Sequence, residues 1–182
     1  LTVLFILMAV VFLGITSCND DDNNEEGTAD FKVSMSNTVL ANREYSEVNI
    51  DLQQISISVS ADTLVSGGWY NLETNQGVYN LLDFTSGNDT ILAYDSSLVV
   101  QTVHQIRLIL GDNNTVVENG ETYDLDTPSG QTSGLKIPLN VTLLPGEHYM
   151  VKLDLNPDES IVKTGNGKYK LNPVIDATVV QF

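Results

Sequence analysis

Beyond residue 30, apolar side chains recur at every second position over short stretches, and no window keeps a helical period. Phe31, Val33 and Met35 alternate with polar residues and predict a first strand. Val48, Ile50 and Leu52 alternate in one phase, and Ile55, Ile57 and Val59 in the other, so the phase flips at Gln53-Gln54. An inserted residue there predicts a β-bulge that lets both halves face one core. Strands are predicted over 69–72, 78–84 and 91–94, divided by Asn75-Gln76-Gly77 and Ser86-Gly87-Asn88-Asp89 turns. A long run follows over 99–110, with Val103, Gln105, Arg107 and Ile109 on one face and His104, Ile106, Leu108 and Leu110 on the other. Further strands are predicted at 116–117, 123–125, 135–139, 149–155, 169–171 and 174–182. Pro138 cannot donate to a ladder, which places its strand at a sheet edge or a ladder end. The stretch 127–134 reads as a loop, and Asn156-Pro157-Asp158 ends a strand and begins one helical turn through Ser160. The fold class is all-β, an antiparallel β-sandwich with its loops at the two ends.

The first fifteen residues break this pattern: from Leu1 to Ile15 the chain is almost wholly apolar and carries no charge. That length is short of the roughly twenty residues of a spanning helix and suits the apolar region of a secretory signal. A retained anchor helix is the alternative. The initiator Met and a basic segment are missing, so the chain is expected to begin inside its leader. Ile15-Thr16-Ser17-Cys18 resembles the lipobox of bacterial lipoproteins, which implies a diacylated Cys18 as the mature first residue. Asn19 to Asp30 has too little apolar surface to offset its ordering entropy and is expected to be a flexible tether. Acids placed directly after the cysteine resemble an export signal of some Gram-negative lipoproteins. The expected location is the outer membrane, with the cell surface favoured over the periplasmic face. The organisation is a signal peptide over 1–17, an acidic tether over 18–30 and a β-sandwich domain over 31–182.

Charge narrows the partners. The chain has 24 acids and 8 bases, a net −16 at pH 7, and six of the acids (Asp20, Asp21, Asp22, Glu25, Glu26 and Asp30) lie in the tether. The remainder is still acidic, which argues against nucleic acid, whose phosphates need clustered Lys and Arg. With one cysteine there is no internal disulfide to form.

Few constellations carry chemistry. Gly130-Gln131-Thr132-Ser133-Gly134 places its Ser one position too late for a nucleophile elbow, and only His104 and His148 are available as bases. No catalytic residue is assigned, and the chain is read as a non-enzyme. Asp154, Asn156, Asp158 and Glu159 have the oxygen ligands of a loose Ca²⁺ site, although Glu159 stands where an EF-hand needs Gly. A strand-end turn capped by Asn156 accounts for the same residues. No other cofactor is expected. Trp69, Tyr70, Tyr79 and Tyr94 are candidates for a platform that stacks sugar rings, with core packing the expected duty of at least half of them. Arg107 and Lys136 are candidates for pairing with Asp154 or Asp124. Asp62-Thr63-Leu64 and Asp89-Thr90-Ile91 resemble acceptor triplets for bacterial O-glycosylation.

Four ordered segments then resemble a known family: His104-Gln105-Ile106-Arg107-Leu108, the stretch 128–137 that runs from Pro128-Ser129-Gly130 to Lys136-Ile137, Leu153-Asp154-Leu155 with Ser160-Ile161-Val162, and 169–175. Together they are similar to the domain-of-unknown-function family 4382, over about residues 31–175. The resemblance implies a secreted or lipid-anchored bacterial protein with a prealbumin-like or carbohydrate-binding-module-like sandwich, and it implies no reaction. The chain departs from the family pattern at Gln101-Thr102-Val103. The functional expectation is a lipid-anchored envelope protein that binds carbohydrate or another extracellular ligand. The alternative is a structural or adhesive subunit of a surface assembly that pairs its edge strands with an envelope partner.

Overall fold

The computed structural model describes residues 27–36, 44–59, 68–84 and 89–182. The leader, Cys18, the tether as far as residue 26 and the Asp62-Thr63-Leu64 triplet lie outside them. In chain order the elements are β1 (Thr28–Ser36), β2 (Glu47–Ser58), β3 (Trp69–Asn71), β4 (Glu73–Thr74), β5 (Gly77–Asn80), β6 (Thr90–Val99), β7 (Thr102–Leu110), β8 (Thr115–Glu118) and β9 (Glu121–Asp126). After the short α1 (Pro128–Thr132) come β10 (Leu135–Thr142), β11 (His148–Leu155), α2 (Pro157–Ser160), β12 (Ile161–Lys163), β13 (Tyr169–Leu171) and β14 (Ile175–Gln181). They form a five-stranded sheet in the order β14-β11-β1-β6-β4 and a nine-stranded sheet in the order β10-β7-β2-β8-β9-β13-β12, where β3 and β5 also pair with β2. The core lies between the sheets, with Phe31, Val33, Met35, Val151 and Leu153 from one and Val48, Ile50, Leu52, Ile106 and Leu108 from the other.

The all-β sandwich matches the alternation of the sequence, but the sheets are mixed. β1 runs parallel to β11, and β9 parallel to β13. Both pairs join strands brought together by crossovers, so no tight hairpin imposes an antiparallel direction.

β2 is the hub of the larger sheet. It pairs with β8 and β5 along its first half and with β7 and β3 along its second. The register against β7 shifts between Leu52 and Gln54. Val48, Ile50, Leu52, Ile55 and Ile57 are all buried, as the phase flip requires of a bulge at that point. Pro138 lies in β10, which among the described strands is the edge of its sheet and pairs with β7 alone. Asn156 accepts hydrogen bonds from the amides of Asp158 and Glu159 and opens the single turn of α2.

Three predicted stretches differ. The strand expected over 78–84 stops at Asn80, and Leu81–Asp83 forms a 3-10 turn capped by the Asn80 side chain. Leu81 and Leu82 are both buried there, whereas successive residues of a strand would point to opposite faces. The run over 99–110 divides, with β6 reaching Val99 and β7 starting at Thr102. The stretch 127–134 contains α1, where Gly130 packs so closely on Leu110 that a Cβ would lie 2.9 Å from its Cδ1.

Between β7 and β8 the segment 111–114 leaves the ladder opposite Asp51, and buried polar groups close the gap. The Asp51 amide donates to Asn114 Oδ1 at 2.9 Å, and Gly111 N donates to Asp51 O at 2.7 Å. Asn114 Nδ2 donates to Gly111 O (2.6 Å) and Thr127 Oγ1 (3.1 Å), and the Asp51 carboxylate accepts from Asn113 Nδ2 (3.0 Å). Farther along, Glu118 accepts from Lys163 Nζ at 2.6 Å and from the Tyr169 hydroxyl at 2.8 Å, tying β8 to β12 and β13. These bonds hold the Glu118 carboxyl below its ordinary range, the Lys163 contact being the largest cause, and the same contact raises Lys163.

Two outcomes follow. Asn114→Ala leaves the Asp51 amide and the Thr127 hydroxyl without that partner, and Gly111 O with only the 3.3 Å bond from Gln131 Nε2, and is expected to lower unfolding free energy in urea by about 2–4 kcal/mol; a loss below about 1 kcal/mol would show the knot to be dispensable. The depressed Glu118 group contributes stability above its unfolded-state pKa and loses it as pH falls through the lower folded-state value. The melting-temperature gap between wild type and Glu118→Gln is therefore expected to be full at about pH 6 and to close in the acid range below about pH 4. A gap constant with pH would contradict the assignment.

Candidate functional site

The bulge in β2 sets the geometry of the site. Gln54 Nε2 donates to Leu72 O (2.9 Å) and Thr74 Oγ1 (2.9 Å), and the Ile55 amide donates to Thr74 Oγ1 at 3.0 Å. These bonds turn the chain after β3 away from the nine-stranded sheet. β4 joins the other sheet, with Glu73 directly opposite Tyr94 and Thr74 opposite Ala93 on β6. Asn75 N then donates to Leu92 O at 2.8 Å before β5 returns to β2.

This crossing brings Tyr70 and Tyr94 to one cleft at the sandwich edge. Tyr70 lies opposite Ile57 and so leans toward the inner side of its sheet, and its hydroxyl donates to Asp95 Oδ2 at 2.7 Å. Tyr94 stands directly across from Glu73 in the β4–β6 pair. The bond to Asp95 raises Tyr70 above its ordinary pKa and fixes its ring, and the Glu73 carboxylate beside Tyr94 raises that hydroxyl as well. Asp95 is itself held by the Ser97 amide at 2.8 Å. The cleft encloses about 290 Å³, with Asn71, Ser96 and Ser97 also lining it. Tyr70 is 44% exposed and Tyr94 36%, so ring surface remains for a ligand. Partly open aromatic faces beside fixed carboxylates suit a ligand with C–H faces and hydroxyl donors.

The other two aromatics of the predicted platform lie elsewhere. Trp69 is on the outer face of its sheet, with the Arg107 guanidinium 4.2 Å and Lys136 Nζ 5.9 Å from the ring centroid. Tyr79 packs on Phe84 with centroids 6.1 Å apart, and its hydroxyl donates to Asn75 O. The expected pairing of Arg107 or Lys136 with Asp154 or Asp124 is not found among the described ion pairs, because β7 and β10 place the two bases against each other. Of the candidate calcium ligands, Asn156 spends its side-chain oxygen on the cap of α2, and Asp154 stands opposite Asp176 on β14. Among the described residues no group of three or more His, Cys, Asp or Glu is arranged to hold a metal ion. His148 Nδ1 is 2.7 Å from Asp30 Oδ2, and its ring stacks on Phe182 at 5.7 Å. It begins β11 in the five-stranded sheet, while Ser133 follows α1 beside the nine-stranded one.

A larger cleft of about 500 Å³ escaped the sequence reading. Asp112, Asp124, Asp126 and Lys168 line it together with Tyr123 and Tyr169. Tyr169 is buried with its hydroxyl committed to Glu118, which leaves Tyr123, 5.0 Å away between centroids, as the one ring it presents among the described residues. The only signal in the sequence is the alternation of Asp124 and Asp126, which strand register alone brings near Asp112. With two part-exposed rings, one of them fixed by a carboxylate, the Tyr70–Tyr94 cleft is the better formed of the two.

No curated protein and no solved structure matches the chain. A family model described as a domain of unknown function (DUF4382) matches residues 28–173, from the first residue of β1 to just beyond β13. That match covers every strand but β14, together with the cleft, and on it the chain belongs to the DUF4382 family.

Proposed function

We propose that this is a lipid-anchored envelope protein, held at the outer membrane through Cys18 and favouring the cell surface, whose sandwich binds carbohydrate without transforming it. The observation that carries the reading is the pair of part-exposed rings in one cleft: Tyr70, tied through its hydroxyl to Asp95 of another strand, and Tyr94, which stands opposite Glu73. A ring fixed in advance loses little rotamer freedom on binding, and the carboxylates keep lone pairs for sugar hydroxyls. The apolar leader, the lipobox-like Ile15-Thr16-Ser17-Cys18 and the acidic tether support the anchor.

One observation favours the adhesive alternative. β4 covers β6 only at Ala93 and Tyr94, so from Asp95 to Val99 that edge has no partner strand among the described residues. A strand added there would cover the same cleft, and the two readings compete for one surface.

On a glycan array, the intact sandwich is expected to retain a subset of glycans, and Tyr70→Ala and Tyr94→Ala to weaken the best of them about five- to tenfold at unchanged melting temperature. A flat array, or affinity indifferent to both variants, would remove the carbohydrate reading, and recovery of an envelope protein that protects the β6 edge from hydrogen exchange would favour the alternative. The anchor has its own check: fatty-acid labelling of the full-length protein in cells is expected to disappear in Cys18→Ser, and equal labelling would refute lipidation at that residue.

A further inference from the structure

The outer face of the nine-stranded sheet holds an arrangement that neither the core nor the cleft requires. Cross-strand pairing sets Asn71, Ser56, Arg107 and Lys136 in one row and Trp69, Ser58, Gln105 and Pro138 in the next. These rows point away from the core, since the intervening Ile57, Ile106 and Ile137 are buried. Arg107 and Lys136 stand directly opposite each other, and like charges so placed are destabilising. In a chain with three acids for every base, neither forms an ion pair among the described residues.

Arg107 is held with care. Its stem crosses Gly134, where a Cβ would come within 2.5 Å of Arg107 Cγ, and its guanidinium lies over Trp69. Nη2 reaches Ser56 Oγ only at 3.5 Å, and Nε is buried with no hydrogen-bond partner. The Gln105 side-chain oxygen, two residues earlier on the same face, is likewise buried without a partner. Two unpaired bases side by side, both near the Trp69 indole, describe the complement of an anionic ligand.

We propose that Arg107, Lys136, Gln105 and Trp69 form a second binding site, for an acidic sugar of the uronate class. Arg107, through its terminal Nη atoms, and Lys136 take the carboxylate, Gln105 offers its amide to a ring hydroxyl, and the Trp69 indole holds the guanidinium plane. A carboxylate between the two bases relieves their repulsion. The site is distinct from the Tyr70–Tyr94 cleft, because Trp69 and Tyr70 are successive residues of one strand and project to opposite faces.

Trp69 is the only tryptophan in the chain, so its emission reports on this face. Titrating the protein with sodium glucuronate, and in parallel with glucose and with sodium sulfate, is expected to give a saturable change in emission for glucuronate alone. Lys136→Gln, at an exposed position, and Arg107→Gln are expected to weaken it about tenfold, and more salt to weaken it further. Tyr94→Ala is expected to leave it unchanged, which separates this site from the glycan-array result. No response to glucuronate, an equal response to sulfate or glucose, an unaffected Lys136→Gln, or loss of the response in Tyr94→Ala would each overturn the proposal.

Discussion

Much of this structure depends on one inserted residue in β2. A strand with the period of two cannot bury Val48, Ile50 and Leu52 together with Ile55 and Ile57 unless the ladder slips once between them, and the register shift beside Gln54 is that slip. The bulge also frees the Gln54 amide to hold Leu72 O and Thr74 Oγ1. What begins as a demand of core packing thus dictates where the chain leaves one sheet for the other. The crossing in turn sets Glu73 opposite Tyr94 and brings Tyr70 within reach of Asp95. Packing, topology and site geometry are three consequences of the same irregularity.

A second irregularity serves the other side of β2. There the partner strand is broken into β7 and β8, and a ladder gap inside a buried region must be filled by side chains or the backbone groups go unpaired. Asp51, Asn114 and Thr127 supply those partners. The two devices differ in kind. Gln54 is half-buried and redirects a neighbouring segment, whereas Asn114 is buried and replaces missing ladder bonds.

These differences explain what could be read in the amino-acid sequence. The β2 bulge was legible because the hydrophobic phase records it directly, and the edge position of β10 was legible because Pro138 has no amide to donate. The Asn156 cap was legible as a local matter of three residues. By contrast, Leu81-Leu82 read as strand because local alternation does not reveal that both must face inward. Tyr70 and Tyr94 were named among four aromatics, but what unites them is a contact between residues twenty positions apart, Gln54 with Thr74, which periodicity does not encode. The parallel pairing of β1 with β11 escaped for the same reason, since crossovers leave no local mark.

The aromatic cluster at Trp69-Tyr70 shows how strand geometry turns one sequence feature into two. Adjacent residues of a strand serve opposite faces, so the pair cannot build a single platform. Tyr70 meets carboxylates at the edge of the sandwich, and Trp69 meets cations on its outer face. The electrostatic contrast is a matter of register: Asp95 and Glu73 come from β6 and β4, Arg107 and Lys136 from β7 and β10. In a strongly acidic chain, carboxylates beside a cleft are ordinary, and their role rests on the rings they hold. Two bases set side by side, with no acid paired to them among the described residues, repel each other, and an anion between them would relieve that repulsion. The outer face is thus marked by an unbalanced pair of charges, and the cleft by a ring that Asp95 holds in place.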